Sequence, residues 1–330
     1  MTMTEIPGFI ALHACPACGN SSGNREVYRS PYGSGAVREY LERFYAPVGK
    51  IDFAVLADAV YVIDLCPACG TAYQCMVPNG ALLDLLYEHW ITPASSLALH
   101  TRRTLDEQLL EQREITALVA YAGRPQADLE VLDFGGGWGG WALHARALGC
   151  RVALAELSPS RIAHATASGT EVVSLDSLGA RQFDLVNCEQ VFEHLTDPAG
   201  ILGRLVACTK PGGLIRINVP NGHDIARRLR RMDWSAAKGT ADSLNLLSPM
   251  EHLVAFTPRG LRLLAAAAGL ERVRMPLSHQ WRHMLDTRSC RGFLRSLAKP
   301  PYYNSSRSTH LLFRRPSDAN PPRTATRESK

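Results

Sequence analysis

The segment VLDFGGGWGGWALHARALG, residues 131–149, constrains this chain more than any other. Apolar residues run into Asp133, then Gly135, Gly137 and Gly139 alternate, and a helix-patterned stretch opens behind them. A strand that ends in so tight a turn keeps Cβ atoms away from a bound ligand and aims backbone N–H groups and the positive helix end at it. Such a turn belongs to a βαβ unit on a parallel sheet, and the flanking texture agrees. Strands are expected at 129–134, 151–156, 171–174, 183–188 and 213–219, with helices at about 139–148, 159–167 and 198–209. A helix at 258–269 and two late strands, 270–276 and 309–315, complete an α/β fold with a doubly wound, mostly parallel, seven-stranded sheet.

The glycines alone leave two cofactors open. Gly135, Gly137 and Gly140 satisfy the dinucleotide spacing G-x-G-x-x-G, and Glu156 stands 21 residues past Gly135, as an NAD-dependent oxidoreductase would require. Asp133 points instead to S-adenosyl-L-methionine. A carboxylate two residues before the first loop glycine can reach the ammonium of a methionine moiety, whereas it would repel a diphosphate. The downstream run FDLVNCEQVFEHLTDPAGILGRLVACTKPGGLIRINVPN then reads as strand, acidic loop, helix, Lys-Pro-Gly-Gly turn and strand.

Together, Asp133 to Gly139, Glu156, the triplet Glu193-His194-Leu195 and Lys210-Pro211-Gly212-Gly213 resemble the class I S-adenosylmethionine-dependent methyltransferases, within them the group with an EHL triplet after the fourth strand. The resemblance covers residues 125–315 and implies a Rossmann-like methyltransferase sheet. Carried over by position, it implies that Asp133, Gly135, Gly137 and Gly139 hold the methionine end. Glu156 would bind the ribose, with Leu157 beside the adenine. Asp176 would face the adenine amino group and Glu189 would line the cofactor floor. His194 would pack and hydrogen-bond within its triplet.

A second signal lies in the first quarter. The pentapeptide CPACG occurs at 15–19 and again at 66–70. A Cys-x-x-Cys turn points two thiolates at one ion, and two turns complete the four-sulfur shell of a structural Zn²⁺. Cys15, Cys18, Cys66 and Cys69 are the expected ligands, leaving no position for an activated water. Between Cys18 and Cys66 lie 47 residues, against about 15–20 in simple ribbons, so residues 20–65 are expected to loop out. Cys75 reads as core. The expected organisation is a zinc-binding, ribbon-like module at 1–88, a helical linker at 89–125 whose helix runs from Thr101 to Ala120, a methyltransferase domain at 126–315 and a disordered tail at 316–330. Deoxysugar C-methyltransferases are similar in carrying a doubled CxxC module before such a domain.

Those sugar enzymes have a Glu-His pair after the fifth strand, and Glu251-His252 in SPMEHLVAFTP occupies a similar place. The resemblance makes them the candidate catalytic base for an acceptor hydroxyl or acidic C–H. Pro249 stands where the sugar enzymes have Tyr, and their additional C-terminal domain is not expected after residue 316, so the sequence does not choose between O- and C-methylation. The run ARRLRRMDW sets Arg227, Arg228, Arg230 and Arg231 on one short helix, either a solvated face or a lid gripping a phosphate-bearing acceptor. Trp234 and the pair Tyr302-Tyr303 are either core or the wall of a ring-shaped substrate.

Composition excludes rather than selects. Thirty-six Lys and Arg against 31 Asp and Glu give +5, too mild for a nucleic-acid partner. The most apolar window, 51–65, is 15 residues long and contains Asp52, Asp58 and Asp64, too short and too charged to cross a bilayer. With no basic, signal-like start, a cytoplasmic setting is expected. The leading expectation is a methyltransferase acting on a small molecule, sugar-like or another biosynthetic intermediate. An oxidoreductase and a non-catalytic zinc-containing binding protein remain as alternatives, and the oligomeric state is not legible.

Overall fold

The computed structural model describes residues 8–317; the expected tail from residue 318 onward lies outside the described residues. The first elements are β1 (Phe9–Ala11), β2 (Arg25–Pro31), α1 (Gly35–Tyr45), β3 (Val60–Leu65), β4 (Ala72–Gln74), β5 (Met76–Pro78) and α2 (Gly80–Asp84). A turn of π-helix (Leu85–Trp90), α3 (Pro93–Thr101) and α4 (Leu105–Tyr121) follow. Helix α4 begins four residues later than its periodicity predicts. Thr104 and Glu107 form a reciprocal capping box that sets the start at Leu105.

The βαβ region comprises β6 (Glu130–Phe134), α5 (Gly140–Ala147), β7 (Arg151–Ala155), α6 (Pro159–Ala167), β8 (Glu171–Val172), β9 (Phe183–Glu189), α7 (Pro198–Cys208) and β10 (Thr209–Asn218). Beyond it lie α8 (Ile225–Arg231), β11 (Val254–Ala255), α9 (Pro258–Ala267), β12 (Glu271–Val273), α10 (Leu277–Met284), α11 (Cys290–Asn304) and β13 (His310–Arg314). The main sheet has seven strands in the order β12-β13-β10-β9-β6-β7-β8, and β13 runs antiparallel to both neighbours. The chain winds outward from β6 through β7 to β8, then returns to β9 on the other side of β6. That reversal opens a crevice at the carboxyl ends of β6 and β9, where ligands bind in sheets of this type.

Residues 20–65 do not loop out. Strands β2, β3 and β4 form a four-stranded antiparallel sheet whose other edge is β11, contributed from 180 residues downstream. The reason is aromatic. Tyr28, Tyr40 and Tyr61 pack around Trp234 with ring centroids 5.3–5.6 Å apart, and Tyr32 and Tyr45 are fully buried nearby. The segment between α8 and β11 therefore shares a hydrophobic core with the N-terminal module. Trp234 belongs to that core, and so does not line a substrate.

Candidate functional site

At the carboxyl end of β6 the Asp133 side chain is 1% exposed. Asn187, at the matching position of β9, donates to its Oδ1 over 2.8 Å, while Oδ2 has no hydrogen-bond partner. Burial pushes the Asp133 carboxyl up to about 7, against the lowering effect of the Asn187 bond. An ammonium placed at Oδ2 would satisfy the orphaned oxygen and restore its charge. The loop beyond turns through left-handed backbone at Gly135, Gly137 and Gly139, with φ of 66°, 56° and 79°. A Cβ on Gly136 would lie 2.6 Å from Asp133 Oδ2 and 2.7 Å from the Leu154 side chain. The cradle fits only a bare backbone.

Glu156, just past β7, accepts from Gly137 N at 3.0 Å and from Leu157 N and Ser158 N at 2.8 and 3.1 Å. It thus joins the glycine loop to the next strand end, where a ribose would lie. Leu157 is exposed and free to cover a base. Glu189 is bound to Arg216 and to Asn218 Nδ2 and, with Arg103, Trp141 and Lys299, lines a cavity of about 250 Å³ below the strand ends. Asp176 is the residue the structure does not bring in. Its side chain is fully exposed, and Arg204 is its partner at 3.6 Å.

Sequence reasoning missed the cover over this loop. Helix α3 sets His100 Nε2 3.1 Å from where a Cβ on Gly140 would be, with Arg103 beside it, and Ser96 accepts from Trp138 Nε1. The π-helical turn adds Glu88, which accepts from Ser158 Oγ at 2.6 Å, and Tyr87, 3.2 Å from His194 Nδ1. A π turn is rare and recurs at functional sites, yet LLYEHW carries no sequence mark of one.

Beside the cofactor crevice a second group converges. Val191 packs against Gly135, so the turn after β9 leans on the glycine loop and brings Glu193 and His194 with it. From the other side the segment before β11 delivers Glu251 and His252. The His194 and His252 rings lie edge to face, centroids 4.8 Å apart. Because a carbonyl only accepts, the bond between His252 Nδ1 and Asn245 O assigns the proton to Nδ1 and leaves a lone pair on Nε2. Burial holds His194 near 3 and His252 near 4, so both imidazoles are neutral at pH 7. Burial also raises the Glu251 carboxyl, with Tyr45, Lys238 and Arg161 acting against it. Glu193 is 1% exposed with both oxygens unpartnered, and burial pushes it up to about 8.

A family profile described as a methyltransferase domain matches residues 102–274. The chain belongs to this methyltransferase family. The match decides between the two cofactors that the glycine spacing left open: the protein is an S-adenosyl-L-methionine-dependent methyltransferase. Similar curated proteins include ubiquinone biosynthesis O-methyltransferases from Xanthomonas euvesicatoria (29% identical over 192 residues, 53% of this chain and 77% of that one) and Thiobacillus denitrificans (30% over 182 residues, 49% and 76%). Similar solved structures include a putative sarcosine dimethylglycine methyltransferase from Galdieria sulphuraria (17% identical, 62% of this chain and 85% of that one, TM-score 0.39). Another is the plantazolicin methyltransferase BpumL with a monoazolic desmethylPZN analogue and SAH (13%, 72% and 94%, TM-score 0.46).

The four knuckle cysteines of this methyltransferase also converge. Cys15 Sγ lies 3.7 Å from Cys69 Sγ and Cys18 Sγ 3.6 Å from Cys66 Sγ, all four within 4.8 Å of one another. Tetrahedral Zn–S bonds of about 2.3 Å would place sulfurs about 3.8 Å apart, so the donor set fits zinc. Gly19 and Gly70 close the two knuckles in the same left-handed conformation, each N–H returning to the carbonyl of the first cysteine. Cys75 is buried outside the quartet. The arginine run turns inward on its own neighbours: Arg227 and Arg228 pair with Asp224, and Arg227 and Arg231 with Asp242. Three of the run's four arginines are thus engaged by carboxylates of their own segment. Among the described residues no helix is long and apolar enough to cross a membrane.

Proposed function

We propose that this methyltransferase methylates an oxygen of a small-molecule acceptor, sugar-like or another biosynthetic intermediate, with Glu251 and His252 as the proton-accepting pair. One observation carries the reading: His252 presents a neutral Nε2 lone pair, its tautomer fixed by Asn245, on the turn that adjoins the cofactor crevice. The oxygen is adopted from the relatives, named for O-methylation. S-adenosyl-L-methionine, when bound, supplies an electrophilic methyl group on a sulfonium. Asp133 and the glycine loop would hold its methionine end, Glu156 its ribose, Leu157 its adenine, and Glu189 would floor the cavity. Arg103 would reach the carboxylate. Asp176 keeps only its sequence argument.

The chain's own work is alignment, exclusion of water and proton removal. Tyr87 and Arg161 wall the acceptor side, the guanidinium 5.8 Å from the phenol ring centre. Glu251 takes the hydroxyl proton directly or from His252. We further propose a structural zinc on Cys15, Cys18, Cys66 and Cys69 in a module at residues 1–88 that residues 225–255 complete, a linker at 89–125 and a methyltransferase domain over the rest of 126–315. Transfer of a labelled methyl to a metabolite panel tests the acceptor reading. Glu251→Gln and His252→Ala should each lose about 10²–10⁴-fold in kcat and keep S-adenosylhomocysteine affinity within about twofold. Unchanged turnover in both variants overturns the assignment of the base.

A further inference from the structure

Glu193 is not explained by cofactor binding or by proton removal. A carboxyl group 1% exposed with neither oxygen hydrogen-bonded is expensive, because its desolvation is returned by no partner. It does not stand alone. One donor atom each from Glu193, His194 and His252 lies within 4.8 Å of the other two, and Glu193 Oε1 is 4.0 Å from His194 Nε2. Each imidazole is anchored through Nδ1, that of His252 to Asn245 O and that of His194 to the Tyr87 hydroxyl, which leaves Nε2 of each ring as the open donor, and it is Nε2 of His194 that faces Glu193. Anchoring a ring through one nitrogen while offering the other is how proteins orient histidines for a metal ion.

We propose that Glu193, His194 and His252 form a site for a first-row divalent cation at the acceptor side of the cofactor crevice. Donors at bond lengths of about 2.0–2.2 Å sit about 3.4 Å apart in a tetrahedron and about 4.2 Å apart across an octahedron. The group therefore closes on an ion by side-chain movements of less than about 1 Å. Two imidazoles and one carboxylate suit Zn²⁺, Mn²⁺, Fe²⁺ or Co²⁺ better than Ca²⁺ or Mg²⁺. With three protein ligands, at least one coordination position stays open. Resting on the oxygen-methylation reading above, that position takes the acceptor's hydroxyl. The cation makes the hydroxyl more acidic and holds its oxygen, and Glu251, outside the ligand set, accepts the proton. His252 then serves as a ligand, and Glu251 becomes the base of the loaded site.

The test uses the full chain with zinc on its cysteine quartet and Mn²⁺ as probe, since a manganous ion does not displace zinc from four thiolates. The expected result is about one Mn²⁺ per chain by paramagnetic resonance titration, displaced by Zn²⁺, with pulsed spectra showing imidazole nitrogen coupling. Glu193→Gln and His252→Ala should each weaken Mn²⁺ binding at least about tenfold. The spectrum of the unaltered protein decides the matter even where a variant fails to fold. No Mn²⁺ or Zn²⁺ uptake beyond the quartet's zinc, or uptake without imidazole coupling, overturns the site. Glu251→Gln separates the two readings: it should lower kcat by the same factor of about 10²–10⁴ and leave Mn²⁺ binding unchanged, whereas lost turnover is not required for the cation to bind.

Discussion

Replacing Asp133 by Asn keeps the shape and the Asn187 bond but removes the charge that the cofactor's ammonium would meet. The structure sets the size of the effect. A charge-assisted hydrogen bond contributes about 1.5–3 kcal/mol. With the carboxyl at about 7, ionising it at pH 7 costs RT ln 2, about 0.4 kcal/mol. The variant should thus lose about 1–2.5 kcal/mol, between about 5-fold and 70-fold in affinity for S-adenosylhomocysteine. The pH profile is the sharper signature. Because the folded-state value is raised, the proton is held at low pH, and binding needs it gone. The ionised fraction rises from about 0.01 at pH 5 to about 0.5 at pH 7, so affinity should rise about 50-fold across that window with a limiting slope of one decade per pH unit. The ligand's α-ammonium titrates near or above about 7.7–8.0, and its alkaline limb should survive in the variant. Calorimetry from pH 5 to 9 on both proteins gives the answer. A wild-type acid limb that is flat, or one that persists in Asp133→Asn, would refute the ammonium contact and with it the role given to the orphaned oxygen.

Other outcomes follow from the same geometry. Gly136→Ala should weaken S-adenosylhomocysteine binding at least about tenfold by calorimetry and also lower the melting temperature, because its methyl meets the buried Asp133 Oδ2 at 2.6 Å and the Leu154 side chain at 2.7 Å. Cys66→Ser should release about one zinc per chain by elemental analysis and lower the melting temperature by about 6–12 °C, from a loss of about 3 kcal/mol at 2–4 °C per kcal/mol. Gln74→Leu should raise KM for the acceptor and lower kcat while sparing cofactor affinity. Its amide donates to Ser248 O and His252 O at 3.0 and 2.9 Å and accepts from Met250 N, and the loss strands those groups around the Glu251 turn.

Where local chemistry determines structure, the sequence was readable. The strand ends at Phe134, Ala155 and Glu189 fall within one residue of expectation, since each apolar run gives way there to glycine or to polar residues. The glycine loop, the knuckles and the helices capped by Ser158, Asp197 and Thr257 were legible for the same reason. What escaped was non-local. Nothing in AYQ, residues 72–74, announces that it pairs with a segment near residue 254 and so joins that segment to the sheet of REVYRSP and VYVIDL. The aromatic match that drives the pairing joins Tyr28 and Tyr61 to Trp234 across 173 or more positions. Likewise, Glu251-His252 was visible as a pair, but its convergence with Glu193-His194 depends on that same long-range pairing.

The pairing also changes what the proposed zinc module would be for. A four-sulfur knot could steady any N-terminal segment, but here the strands it anchors are the ones that hold the acceptor turn. Cys69 O accepts from Thr257 Oγ1 at 2.7 Å, two residues beyond β11, and Leu253 is gripped from both sides, its N–H by Glu193 O and its carbonyl by Gln74 N. Met250, which starts the turn, sits in left-handed backbone at φ 69°, a conformation that a non-glycine residue keeps only when its surroundings enforce it. The enforcement comes from Gln74, Tyr61 and the aromatic core of the module, not from the methyltransferase sheet. The sheet alone would present a cofactor cradle with no defined acceptor side. On the proposed reading the chain would gain that side by threading residues 225–255 through a second core, while the knuckle cysteines pack in the neighbouring core of the main sheet and reach the turn through Thr257.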